Sequence, residues 1–536
     1  MLPQQLLDLY QPQNHLFHPT TEAHISAFVR YAAANKLNVR VRGAALSVPQ
    51  AVFTNGFKTN TDASAPDINL QLDQFRSIHF DDSTLEVTVG AGINLHYDPF
   101  DPAHVSSETN GLFPQVAAKG WVLPNVPAVA HQTIAGFIAT GSEGASVPAS
   151  FGDQVVGIRL IDGNGNPQNF RRSDDPTNPF FAVGTSLGLL GIVVSVTLKC
   201  LPYLDNAGHH STMIAGYEDV TSQYQTPFNF LGPVDAAKPS LADMLTNTPH
   251  VRLLWWPYNE LQWVVNWRAA PMSKADAAVK TGIKAYAPPF PVVTIGPFHT
   301  PRLWAQWIAE KGFWLINNWP NWYDKLTARL FGNRLAALWN GLRKLVDDLF
   351  PTVYTKLLSL FFSPKKPQQQ FWDVWWSALR VDSFEFSNKL FNLDYTELWV
   401  PMTDAQRLIA VMETHYKQKG FAATEVYTVE ISGAKASPFW LSPAYEHDVI
   451  RINFLHFANS AVKSADYYQQ FWQLLYDNQI PFRPHWGKLL PPANGRTGAP
   501  YLAEQYPKLA DFNELRASMD PHNVFLTSYW KLHLGI

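Results

Sequence analysis

Three stretches of small residues have the composition to hold an anionic ligand on bare backbone. Residues 40–47 read RVRGAALS, residues 131–146 read HQTIAGFIATGSEGAS, and residues 181–198 read FAVGTSLGLLGIVVSVTL. In the first, a strand runs into Gly43 and Ala44, where a turn can aim successive main-chain N–H groups one way and make a nest for a phosphate. Small side chains let that phosphate come close. In the second, Ala135, Gly136, Ala139, Thr140, Gly141, Ser142, Gly144 and Ala145 leave few obstructions to a flat ligand. The third sets Gly184, Gly188 and Gly191 ahead of a buried strand. Each stretch also has a plain reading, a tight turn or a close helix–sheet contact, and none decides alone.

Other chemistries are disfavoured by pattern. There is no GxxxxGK[ST] loop and no GxGxxG followed by an acidic residue at Rossmann spacing. His209–His210 and the scattered histidines show no HExxH or paired ligand spacing, so no metal site is expected. GTSLG at 184–188 has the letters of a serine-nucleophile motif but precedes a buried strand without an elbow. The single cysteine, Cys200, excludes an internal disulfide framework and a thiolate cluster.

The elements that would position these residues can be read along the chain. Ile25, Phe28, Val29 and Ala32 give residues 24–35 one apolar helical face, with Thr20 and Thr21 placed to cap and Glu22 suited to the first turn. Residues 37–43 alternate as a strand, and strands are expected at 78–80, 85–89, 155–162 and 192–199. DGNGN at 162–166 is a hairpin turn, and 133–140 a short buried helix. Further on, strand-like pieces at 252–256, 262–268, 397–400, 426–431 and 450–454, with a helix at 404–417, suggest an antiparallel sheet backed by helices. The expected fold class is α+β, in two domains. Residues 1–202 form the first, 203–480 a cap, and 481–536 return to the first domain and the site. Within 301–364, Leu335, Leu338, Leu342, Leu345 and Leu349 recur at 3, 4, 3 and 4 residues beside many tryptophans. That seam packs on its own domain or makes a homo-oligomer or membrane-surface contact.

Across 536 residues, Lys plus Arg is 41 and Asp plus Glu is 44, a net charge of 41 − 44 = −3. With no basic excess, nucleic acid is not an expected partner. No run of about 20 apolar residues lacks charge or proline, so no membrane span is expected. The N-terminus has no signal-peptide pattern, and a cytoplasmic location is expected. Aromatic residues reach 14%, an excess that suggests a large apolar pocket or an apolar surface.

Taken in order, the helix, VRVRGxxxS, QTIAGxIATGxxG and SLGxxGIVxxVTL resemble the FAD-binding domain of vanillyl-alcohol-oxidase-type (PCMH-type) flavoproteins over about residues 14–200. LLWWPYNELQWVVNW (253–267) is similar to the substrate domain of the flavin-linked cholesterol oxidases of this fold. RPHWGK (483–488) is similar to the aldonolactone and alditol oxidases, and DPHNVF (520–525) to both. The resemblance implies backbone contacts from Arg42, Gly43, Ala44, Ala45 and Ser47 to the FAD pyrophosphate, with Leu46 also at the cofactor. It implies Thr133, Gly136, Thr140, Gly141 and Gly144 along the pyrophosphate and isoalloxazine, and Ile192 and Val193 at the adenine. Relatives often carry a flavin-linked histidine where this chain has Leu46. An isobutyl group cannot form that bond, so the FAD is expected to be non-covalent, with a lower potential. Glu143 also stands where relatives often carry histidine.

Oxidising an alcohol requires a base for the hydroxyl proton and positive charge near the flavin N1/C2=O edge. The candidates are Lys488 as cation, and Glu430 or His485 as base. Glu430 aligns with a Glu-x-Arg pair of the relatives, whose arginine is replaced here by Ser432; two residues apart on a strand, both lie on one face. Ser432, Asn453 and Trp486 are expected to line the pocket. The tryptophan-rich cap favours an apolar, sterol-like, polycyclic or aromatic small-molecule substrate, oxidised by an FAD-dependent oxidase or dehydrogenase with O2 or another acceptor. A sugar-lactone or alditol oxidase is the second reading. A flavin-binding scaffold or non-redox cyclase is the third, supported by Leu46 and Ser432.

Overall fold

The computed structural model describes residues 2–57, 68–203, 211–257, 262–280, 282–286, 368–380, 393–420, 423, 429–457 and 462–536. The 301–364 seam and His209–His210 lie outside the described residues, as does the first part of the strand expected at 426–431.

The N-terminal helix runs from Glu22 to Asn35, two residues longer at its start than the apolar spacing alone suggested. Thr21 caps it by accepting from the His24 N–H, and Lys36 ends it in the left-handed region at φ 56°. Its Ile25, Phe28, Val29 and Ala32 are buried. Beside it a small sheet is ordered Tyr10–Gln11, Leu16–Phe17, Ile68–Gln71, Val39–Arg42, with the last two parallel. A second, antiparallel sheet is ordered Ile78–Asp81, Glu86–Gly90, Ile192–Lys199, Val155–Ile161, Pro167–Arg171. The DGNGN segment is the hairpin turn: Asp162 Oδ1 accepts from the N–H groups of Asn164 and Asn166, and Gly165 takes φ 74°.

An eight-stranded antiparallel sheet follows. Its order is Gln368–Val374, Met213–Ser222, Trp263–Pro271, His250–Trp256, Val429–Ala434, Val449–Phe457, Leu393–Pro401, Arg483–Pro484. Helices Ala405–Lys419 and Ser464–Asp477 cover one face. Phe471 stacks on Phe454 with centroids 4.1 Å apart, and Tyr416 meets Trp255 edge-on at 5.3 Å. Because strand side chains alternate, the residues next to Phe454 and Trp255 point to the other face. That face carries Arg252, Glu430, Ser432, Arg451, Asn453 and Glu397.

The chain's last residues strap the first sheet. The Val39 N–H donates to Val524 O at 2.8 Å, and Arg40 donates to Phe525 O at 3.3 Å. The DPHNVF turn is held by Asp520, whose carboxylate accepts from the N–H groups of Val524 and Phe525. Among the described residues, no helix is long and apolar enough to cross a membrane.

Candidate active site

A cleft of about 150 Å³ runs between the two N-terminal sheets. Arg42, Gly43, Ala44, Ala45, Leu46 and Ser47 form one wall. Thr133, Gly136, Thr140, Ile192 and Val193 also line it. Ala45 sits at φ 54°, a left-handed conformation a non-glycine residue adopts only under constraint. Among the described residues, the N–H groups of Ala44, Ala45, Leu46 and Ser47 make no hydrogen bond to the protein. A turn of unused N–H groups against bare walls suits a pyrophosphate. The walls meet tightly: a Cβ on Gly43 would lie 2.5 Å from Thr133 Oγ1.

Gly141 and Gly144 sit behind this wall rather than in it. Gly141 turns the chain at φ 68°, against Pro443. A Cβ on Gly144 would lie 1.8 Å from Asn125 Oδ1, so that glycine permits a backbone contact. Between them, Glu143 is a structural hub. Its carboxylate accepts from Asn125, Ser150 and the N–H groups of Phe151 and Gly152. Burial pushes it up to about 7, against those hydrogen bonds and Arg451.

The RPHWGK turn meets the cleft directly. Val48 N–H donates to Gly487 O at 3.0 Å, and a Cβ on Gly487 would lie 2.6 Å from Ser47 Oγ. Both ring nitrogens of His485 are engaged, Nδ1 by Gly487 N–H at 3.1 Å and Nε2 by Ser142 at 2.9 Å. Burial lowers its pKa to about 4, with Glu397 opposing. Trp486 is placed in the core and not at a pocket wall. It is fully buried, donates to Leu441 O at 2.7 Å and packs on Tyr506 and Trp530. Lys488 Nζ lies 4.4 Å over the Tyr395 ring, with no carboxylate within 4.0 Å among the described residues. Burial lowers its pKa, opposed by Glu397 and Glu430.

The face of the large sheet opposite its helices brings the remaining candidates together. One register row reads Gln369, Glu218, Trp267, Arg252, Ser432, Arg451, Trp399, Arg483. The next row on the same face places Leu254, Glu430, Asn453 and Glu397 side by side. Asn453 donates to Glu430 at 3.4 Å, and Arg252 Nε is 4.0 Å from Glu430 Oε1. Arg451 donates from Nε to Glu397 at 2.8 Å, stacks 4.7 Å over Trp399, and donates from Nη1 to Glu143 O and Gly144 O. It therefore ties this sheet to the glycine-rich loop. Burial alone would raise Glu397, but Arg451, His485 and Lys488 hold it at about 2. Buried Arg252 Nε and Asn453 Oδ1 have no hydrogen-bond partner.

Arg252, Arg451, Glu397 and Ser142 were not singled out from sequence. Two of them left a trace: Arg451 and Asn453 alternate in VIRINFLHF, and Arg252 interrupts an otherwise apolar strand.

The D-arabinono-1,4-lactone oxidase family matches residues 311–533, and the FAD binding domain family matches residues 14–97. The L-gulonolactone oxidase of Mus musculus is 22% identical over 521 residues, 96% of this chain and 93% of the relative. The L-gulono-1,4-lactone dehydrogenase of Mycobacterium tuberculosis is 23% identical over 523 residues, 97% of this chain and 96% of the relative. Among solved structures, cholesterol oxidase from B. sterolicum superposes with a TM-score of 0.63 at 16% identity, covering 98% of this chain and 96% of that one. The Physcomitrella patens BBE-like 1 protein gives a TM-score of 0.55 at 12% identity, covering 96% and 90%. With its backbone-lined cleft, its antiparallel cap and these matches, the chain has the vanillyl-alcohol-oxidase-type (PCMH-type) FAD-binding fold and is an FAD-dependent oxidoreductase.

Proposed function

We propose that the enzyme dehydrogenates a ring hydroxyl of a sugar lactone. The observation that carries this reading is the polar face of the large sheet opposite its helices. Glu430, Asn453 and Arg252 project from it, and two buried polar atoms there have no protein partner. A hydroxylated ring satisfies such atoms, whereas a sterol leaves them unpaired, which costs about 1–3 kcal/mol for each. The lactone oxidases and dehydrogenase among the relatives support the same choice.

An apolar substrate, expected from the aromatic content, draws less support from the relatives, which are lactone oxidases and dehydrogenases. Trp255, Trp375, Trp399, Trp472, Trp486 and Trp530 are all fully buried side chains of the core. Of these, Trp530 also lines the cleft and Trp399 a second pocket.

FAD, held by the N–H groups of residues 43–47 and the Thr133–Gly136 wall, would supply the hydride acceptor. In that reaction Glu430 would be the base that accepts the hydroxyl proton. Asn453 orients the Glu430 carboxylate. Lys488 supplies positive charge at the cleft. His485, with both nitrogens engaged, positions the loop and leaves the base role to Glu430.

Anaerobic mixing of the holoenzyme with L-gulono-1,4-lactone, D-arabinono-1,4-lactone or cholesterol tests the reading. The lactones should bleach the visible flavin band, and Lys488→Ala should slow that bleaching. Bleaching by cholesterol and by neither lactone overturns it.

A further inference from the structure

Ser432 is flanked in register by two arginines, Arg252 on one neighbouring strand and Arg451 on the other. The two have different circumstances. Arg451 is fully committed: Glu397, two backbone carbonyls and the Trp399 ring take up its guanidinium. Arg252 has an unused Nε, faces the Trp267 ring at 5.8 Å, and has Glu430 as its ion-pair partner at 4.0 Å. Glu218, the other carboxylate on its side, is met by Tyr286 at 2.6 Å and Gln369 at 2.8 Å, and the Arg252 charge also acts on it, opposing the rise in its pKa that burial causes.

We propose that Arg252 is the positioning cation of Glu430, reaching it from the adjacent strand in place of an arginine that Ser432 leaves out two residues along. The proposal rests on the reading of Glu430 as the base of a lactone oxidoreductase. A guanidinium can reach one point from either of two paired strands, because directly opposed residues on one face lie about 5 Å apart. Position 432 lies directly opposite Arg252. The sheet therefore allows this charge to move between strands without moving the carboxylate it serves. Arg252 holds the Glu430 carboxylate from one side, and Asn453 braces it from the opposite strand.

The test is a transposition. Arg252→Gln should slow first-turnover flavin bleaching by L-gulono-1,4-lactone on the order of 10- to 100-fold, the range for losing one charged contact. Its flavin content should be unchanged. Arg252→Ser combined with Ser432→Arg should recover most of that loss, which a merely structural role for Arg252 does not predict. An Arg252→Gln variant as fast as wild type, or a flavin-loaded transposed variant as slow as Arg252→Gln, overturns the proposal. Arg252→Lys keeps the charge and the aliphatic stem. It serves where the other variants do not fold, and should be slower than wild type because lysine lacks the planar fork; an unchanged rate overturns the proposal. If no lactone bleaches the wild-type flavin, the functional reading fails, and melting temperatures of Arg252→Gln, Glu430→Gln and the double variant decide Arg252 alone. A double variant melting no lower than the less stable single supports the pair, and additive losses overturn it.

Discussion

His485 donates from Nε2 to Ser142 Oγ across 2.9 Å. The direction follows from the other nitrogen, because Gly487 N–H points at Nδ1 and leaves the ring proton on Nε2. Ser142 can then donate to Thr140 Oγ1 at 3.0 Å, so the turn and the cleft wall share one hydrogen-bonded chain. This arrangement requires a neutral ring. Burial lowers its pKa from 6.5 to about 4. The unfolded chain takes up this proton as pH falls through 6.5, while the folded chain resists until about 4. The stability due to the neutral ring is thus present above 6.5 and lost progressively as pH falls toward 4. His485→Gln retains a donor for Ser142 and removes the titration. Its melting temperature should fall less steeply than that of wild type over this interval, and equal slopes refute the assignment.

Arg451 and Glu397 form a buried ion pair, with side chains only 15% and 6% exposed. Removing one partner strands the other charge. Arg451→Met should lower the unfolding free energy at neutral pH by about 3–5 kcal/mol, read from urea denaturation. Adding Glu397→Gln should recover part of it. Glu397 is held at about 2 against an ordinary 4.5, so its contribution is present above 4.5 and lost as pH falls toward 2. The double variant should be less acid-sensitive than wild type in that range.

Local signals made much of the fold legible. Thr21, the apolar stripe of Ile25 to Ala32 and the Asp162 turn each act within a few residues, and each formed the element it encodes. The glycine-dotted stretches were legible because a bare wall needs small residues wherever it bends. The places of the tryptophans were not legible, because composition does not say which face of a strand a ring occupies. Trp399 and Arg451 share a face, but Trp255 lies beneath the helices. The neighbours of Glu430 were illegible for a different reason. Arg252 meets Ser432 only through the register of two strands distant in the chain, and no local periodicity encodes a register.

Gly144 offers a test of the loop behind the cleft. A Cβ there would lie 1.8 Å from Asn125 Oδ1 and 2.3 Å from the Val126 carbonyl oxygen, and the second is backbone that cannot rotate away. Gly144 O also accepts from Arg451, so a shift at this residue disturbs the tie to the large sheet. Gly144→Ala should lose roughly 1–3 kcal/mol of stability or more. It should also purify with less flavin per chain, measured by absorbance ratio. Wild-type flavin content and melting temperature would show that the loop yields without strain.

Leu46 lines the cleft between Ala45, at φ 54°, and Ser47, whose hydroxyl faces Gly487. Its side chain has no atom able to bond the flavin 8-methyl. Retention of FAD is then expected to rest on the backbone N–H groups and the packing of the walls, all of which are lost on unfolding. Acid precipitation should leave a yellow supernatant over a white pellet. Because FAD would bind the folded chain alone, the melting temperature of stripped protein should rise with added FAD. At a hundredfold excess over the dissociation constant the gain is about 2.7 kcal/mol. A pellet that stays yellow after washing would place a covalent bond elsewhere in the cleft, and a melting temperature indifferent to FAD would remove the cofactor from this cleft.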